Sequence, residues 1–207
     1  MTFKFLIKFC ALFLSLFLIY SSEVYASDHR TQRSIVGMLS GRADPRFKRA
    51  TQPMDFQFPR DHAAHPDYKT EWWYYTGNLE EVGTSRPFGY QLTFFRVALD
   101  TIGDNPNPSK WKVGHIYFAH MALTDVEGEK FHYFERINRK GIGNAGADSE
   151  RLMVWNEDWS LEGKDNEHLL EAVESGMGIK LQLVPEKKLV VHGQDGISKK
   201  GSETGNA

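Results

Sequence analysis

The chain has 207 residues, with 25 Lys+Arg against 27 Asp+Glu and a formal net charge of −2. That balance, with no basic stripe anywhere, argues against a charge-driven nucleic-acid partner. At 41% hydrophobic and 13% aromatic the chain is neither disordered nor collagenous, and one cysteine, Cys10, excludes a disulfide framework within a single chain.

Residues 1–26 read as an export leader. Lys4 and Lys8 make a positive start, Phe9–Tyr20 is an apolar run broken by one Ser, and Val24-Tyr25-Ala26 gives a small-x-small cleavage pattern. The run is shorter than the roughly 20 apolar residues a membrane span needs. The expected destination is periplasmic or secreted. Residues 27–54 are polar and Arg-rich, and read as an N-terminal arm.

From Asp55 onward, strand-like segments recur between turn residues. The predicted strands are Thr70–Leu79, Phe88–Leu99, Val113–Thr124, Lys130–Ile137, Arg151–Trp155, Trp159–Glu162, Leu169–Val173, Met177–Val184 and Leu189–His192. Most connections are of hairpin length. The exceptions are residues 100–110, with two prolines, and residues 140–150, rich in Gly and Ala. In Met177–Val184, apolar Met177, Ile179, Leu181 and Leu183 alternate with Gly178, Lys180 and Gln182, which marks a half-buried strand. Val113–Thr124 is apolar on both faces, so both are expected to be covered. No helical period or βαβ alternation appears. The expected fold is all-β, an antiparallel meander closing as an up-and-down barrel that can hold a small ligand. A flat sandwich is the second architecture. Residues 202–207 continue a polar, Gly-rich tail.

The densest chemistry lies in residues 55–79, where Arg60, Asp61, His62, His65 and Glu71 precede Trp72-Trp73-Tyr74-Tyr75. In a strand, Glu71, Trp73 and Tyr75 share one face, and Trp72, Tyr74 and Thr76 the other. A carboxyl enclosed by aromatic rings is desolvated and becomes a usable general acid near neutral pH, and the ring faces can stabilise a developing cation. The alternative pairs Glu71 with Arg60 or Arg96, or turns it to solvent, and makes the aromatics ordinary core. His62 and His65 have HxxH spacing with Glu71 six residues later. Such a set can bind zinc or iron, but on a loop interrupted by Pro66 it is weak, and no metal is assigned. His120, in mid-strand, points into the cavity or is a satisfied core histidine. Tyr90, Gln91 and Arg96 add polar atoms to an apolar strand and need partners if buried. No GxSxG, P-loop, HExxH, CxxC or dinucleotide fingerprint occurs, so serine-nucleophile and nucleotide chemistry lack support.

Four stretches carry a family resemblance: Phe58–Leu79 (FPRDHAAHPDYKTEWWYYTGNL), Gly89–Arg96 (GYQLTFFR), Phe118–Asp125 (FAHMALTD) and Leu183–Gly201 (LVPEKKLVVHGQDGISKKG). Together they resemble the AttH-like, hydroxyneurosporene synthase (CrtC) family, over residues 55–201. The resemblance implies a lipocalin-like β-barrel, usually two in tandem. Its carotenoid enzymes add water across an isoprenoid double bond without a redox cofactor, so none is expected. Against that pattern the chain stops after one domain, and the barrel is expected to be incomplete at its C-terminus.

Three functions follow as expectations. The first is an exported domain that binds an extended apolar lipid or isoprenoid, with Trp72, Trp73, Tyr75, Tyr90, Gln91 and Arg96 as ligand contacts. The second is a cofactor-independent hydro-lyase or hydrolase. There Glu71 or Asp61 is the acid, Trp73 and Tyr75 stabilise the cation, and His62 or His120 activates water. The third is an accessory domain meeting an envelope or exporter partner, or a second domain supplied in trans.

Overall fold

The computed structural model describes residues 44–99, 109, 113–141, 143–193 and 195–197. The leader, most of the arm, nearly all of the 100–110 loop and the 202–207 tail lie outside the described residues.

Among the described residues nine strands form, all antiparallel: β1 Thr70–Glu80, β2 Pro87–Ala98, β3 His115–Asp125, β4 Lys130–Arg139, β5 Ala145–Ala147, β6 Met153–Asn156, β7 Trp159–Lys164, β8 Glu167–Glu174 and β9 Met177–Leu183. One 3-10 turn, Arg60–His62, precedes them. Among the described residues there is no α-helix, and no helix long and apolar enough to cross a membrane. Each strand pairs with its neighbour in sequence, giving a four-stranded sheet β1-β2-β3-β4 and a five-stranded sheet β5-β6-β7-β8-β9. This is the all-β antiparallel meander expected from the sequence, and it fits a lipocalin-like fold.

Local chemistry sets the turns. Asp165 and Asn166 between β7 and β8, and Ser175 and Gly176 between β8 and β9, all have positive φ (49°, 66°, 51° and 79°). Two adjacent left-handed residues match the right-handed twist of the strands they join, and Asn, Asp and Gly enter that region at least cost. Between β3 and β4, Asp125 Oδ1 accepts the Gly128 N–H at 2.9 Å, and Arg86 pairs with the same carboxylate from the neighbouring hairpin.

The core lies between the sheets. Trp73, Leu92, Phe94 and Met121 from one sheet meet Val154, Trp159, Leu161 and Leu170 from the other. Residues two apart on a strand share a face, which is why Leu92 and Phe94 on β2, and Trp159 and Leu161 on β7, both turn inward. Asn156 stitches the sheets together. It is wholly buried, donates to the Tyr117 carbonyl (3.2 Å) and the Arg136 carbonyl (3.3 Å), and accepts from Asn138 Nδ2 (2.8 Å). Nearby, the Arg136 guanidinium lies 4.4 Å from the Trp159 ring centroid and pairs with Glu174 at 2.8 Å.

Two elements differ from expectation. Leu189–His192 is not a strand: β9 ends at Leu183, Pro185 follows without an N–H to donate, and Leu189 to Val191 run exposed. Conversely, Ala145–Ala147 is a strand inside the Gly/Ala-rich connector. Its small residues are required there, because a Cβ on Gly146 would lie 2.4 Å from the Trp155 ring on β6.

Candidate functional site

Residues 57–69 form a tightly fastened loop. Asp61 accepts the Gln57 N–H at 2.6 Å, and this bond, more than the nearby charges, holds its carboxyl below the usual range. The Ala64 N–H donates to the Asp148 carbonyl at 2.8 Å, and Trp73 Nε1 donates to the His62 carbonyl at 3.0 Å. Trp73, on the inward face of β1, thus anchors the loop through its indole.

Glu71 and Arg96 face each other in the β1–β2 register. Both Glu71 oxygens accept the His65 N–H at 3.0 Å, Oε1 lies 2.7 Å from His65 Nδ1, and Oε2 lies 3.3 Å from Arg96 Nε. Arg96, whose side chain is 1% exposed, also donates to the carbonyls of His65 (3.0 Å) and Tyr68 (2.8 Å). The hydrogen bond to Glu71 raises the His65 pKa against the opposing effect of burial. Glu71 is therefore a fastener with its oxygens engaged as acceptors, the arrangement anticipated as the Arg96-paired alternative. His115 lies in the same region at 6% exposure. Burial, and secondarily the Arg96 charge, push it down to about 4.

The remaining sequence candidates separate onto two faces. Tyr90 is inward and buried, its ring against Gly77, where a Cβ would meet Tyr90 Cε1 at 2.9 Å. Trp72 is on the outer face at 54% exposure, and Gln91 shares that face, with Nε2 3.4 Å from Thr93 Oγ1. His120 is also on the outer face, opposite Glu135 in the β3–β4 register, with Nε2 2.9 Å from the Glu135 carboxylate. Burial lowers its pKa despite that carboxylate. Glu71 and His120 are thus not brought together. His62 and His65 also diverge: His65 turns to Glu71, whereas the His62 ring packs edge-on against His168, 5.1 Å between centroids.

His62 leads to a half-open cleft of about 680 Å³. Its walls include Phe58, Pro59 and His62 from the fastened loop, Leu152 before β6, Gly163 and His168 from β7 and β8, and Pro185 and Leu189 after β9. Arg151, Lys164, Asp165, Glu167 and Lys187 form its charged rim. Below the floor, the Tyr75 hydroxyl lies 2.8 Å from His168 Nδ1. Burial, then the neighbouring Tyr90, raises the Tyr75 pKa, so its hydroxyl keeps its proton. Burial lowers both His62 and His168, with the His168 charge a further cause at His62. Both imidazoles are therefore neutral near pH 7. The cleft thus joins apolar walls to two neutral imidazoles, a combination suited to apolar small molecules bearing one placed polar group.

His168 was not among the sequence candidates. Its signal was available: His168, Leu170 and Ala172 alternate on one face of β8. Starting that strand at Leu169 left the histidine outside the pattern.

The chain matches the family model described as AttH-like over residues 49–207. It is also similar to a solved protein of Nitrosomonas europaea that bears the provisional designation AttH, with 28% identity, a TM-score of 0.67 and coverage of 77% of this chain and 47% of that one. The chain thus spans about half the length of that solved relative. No curated protein matches it. With most of its length and all nine strands inside the matched region, the chain belongs to the AttH-like family.

Proposed function

We propose that this protein is an exported binding domain for an extended, mostly apolar small molecule, a lipid or isoprenoid, held in the cleft between the fastened loop and the β7–β8 turn. The observation that carries this reading is the cleft itself. Its volume of about 680 Å³ lies within the range of about 300–1,000 Å³ usual for small-molecule sites. Apolar side chains from three separate segments converge on it, and the histidines inside carry no charge near neutral pH. The leader-like Lys4, Lys8 and Phe9–Tyr20 pattern supports export.

Binding is favoured over the carotenoid 1,2-hydratase-like alternative because Glu71 and His120, one acid and base that alternative offers, are separated, and because the second acid, Asp61, accepts the Gln57 N–H and is held ionised. Glu71 is engaged by Arg96 and His65, and His120 stands on the opposite face of the sheet with Glu135.

The test is displacement of the apolar fluorophore phenylnaphthylamine by a fatty acid or an isoprenoid, in the protein and in Leu189→Asp. Leu189 lines the cleft yet is 51% exposed, so the variant puts a charge on the apolar wall with little effect on folding. Binding lost in Leu189→Asp and present in the parent supports the reading. Equal binding in both, or none in either, refutes it.

A further inference from the structure

The Tyr75–His168 contact fixes which nitrogen of His168 carries a proton. A buried hydroxyl must place its hydrogen on an acceptor, or it forfeits a hydrogen bond. Among the described residues, the only hydrogen-bond partner of the Tyr75 hydroxyl is His168 Nδ1, at 2.8 Å. Tyr75 therefore donates and Nδ1 accepts. A neutral imidazole that accepts at Nδ1 carries its proton on Nε2. Nε2 lies across the ring from the atom Tyr75 holds, and His168 is part of the cleft wall.

The rim bears on the charge of the ligand. Lys164 and Lys187 are offset by Asp165 and Glu167, and Arg151 is engaged by Glu162 at 3.4 Å and Asp148 at 3.5 Å. No strong field of one sign selects an ionised head group. What the site offers instead is a single oriented N–H beside apolar walls.

We infer that His168 is the polar anchor of the cleft, presenting an Nε2–H donor locked by Tyr75, and that the ligand is an extended apolar chain bearing an uncharged carbonyl oxygen that accepts it. This inference rests on the binding reading above and deepens it. Hydrocarbons enter the same cleft without the hydrogen bond. A cationic amine offers only donors, so it leaves the Nε2–H unpaired and binds worst.

The experiment compares three probes of matched chain length, methyl nonyl ketone, undecane and undecylammonium, as competitors of phenylnaphthylamine on the full chain. One net hydrogen bond corresponds to a preference of roughly tenfold for the ketone over the hydrocarbon. In His168→Phe the ketone falls to within about twofold of undecane. In His168→Gln, whose amide restores a donor near the same place, the preference returns. Independently of ligand, nitrogen NMR of the histidines near neutral pH shows His168 protonated at Nε2 and bare at Nδ1, and Tyr75→Phe raises the fraction protonated at Nδ1. Protonation at Nδ1, or equal binding of ketone and undecane by the parent protein, overturns the inference and leaves the binding reading standing. Failure of every probe to displace the fluorophore overturns both.

Discussion

Glu71 and Arg96, directly opposite each other on β1 and β2, form a largely buried ion pair at 3.3 Å that holds the 57–69 loop against the sheet. The pair is supported on both sides: Glu71 receives the His65 N–H, and Arg96 reaches two carbonyls of the same loop. Through these contacts the loop holds His62 at the cleft.

Removing one partner of such a pair leaves the other buried without its counter-charge. Glu71→Ala is expected to cost about 3–5 kcal/mol, and Glu71→Gln less, because the amide oxygen still accepts. Urea unfolding measures both. A loss below 1 kcal/mol for Glu71→Ala would mean that the pair does not hold the loop.

Acid should destabilise the fold well above the carboxylate range. His115 titrates at about 4 when folded and at an ordinary 6.5 when unfolded, so the unfolded chain binds the proton first. Stability is full above pH 6.5 and falls as the pH drops towards 4, by roughly 3 kcal/mol at most from this group. His65 acts with the opposite sign. Its folded pKa is raised, so its contribution is present below 6.5 and lost as the pH rises through the folded value. His62, His168 and His120 share the sign of His115, so the net slope is towards loss in acid. Urea midpoints measured between pH 7 and 4.5 check this, and His115→Leu should flatten the slope. A midpoint that does not move would contradict it.

Asn156 satisfies two carbonyls and one side-chain amide with its own amide group, far from solvent. Asn156→Ala leaves these groups unpaired and should cost about 2–4 kcal/mol. The check is the same unfolding assay. A change under 0.5 kcal/mol would show that water replaces the side chain.

Trp72 gives the contrasting case. It is large and aromatic, but it lies on the outer face, away from the cleft. Trp72→Ala should leave phenylnaphthylamine displacement unchanged and stability within about 1 kcal/mol. Weakened displacement would place the ligand on the outer face instead.

Much of this was legible in the sequence, for identifiable reasons. Strand-like segments between turn residues located β1 to β4 and β6 to β9, and the period of two along a strand put Glu71, Trp73 and Tyr75 on one face. Both signals failed where side chains carry no pattern. Ala145–Ala147 has almost no side chain to alternate, and its role appears only once the Trp155 ring is seen to need that space. Leu189 to Val191 are β-prone, but no neighbouring ladder follows Pro185, and Leu189 serves the cleft wall instead. At His168, a strand start placed two residues late, at Leu169 rather than Glu167, left an inward histidine outside the pattern. The partner of Glu71 depends on pairing across strands: Arg96 could be named as one of two candidates, and the register selects it.

The most direct test of the central claim is to map, by amide chemical-shift perturbation, where methyl nonyl ketone binds to the full chain. The account predicts that the perturbed amides cluster at His62, Leu152, Gly163, His168 and Leu189. Perturbations confined to the outer face around Trp72 and Tyr74, with those five unmoved, would contradict it.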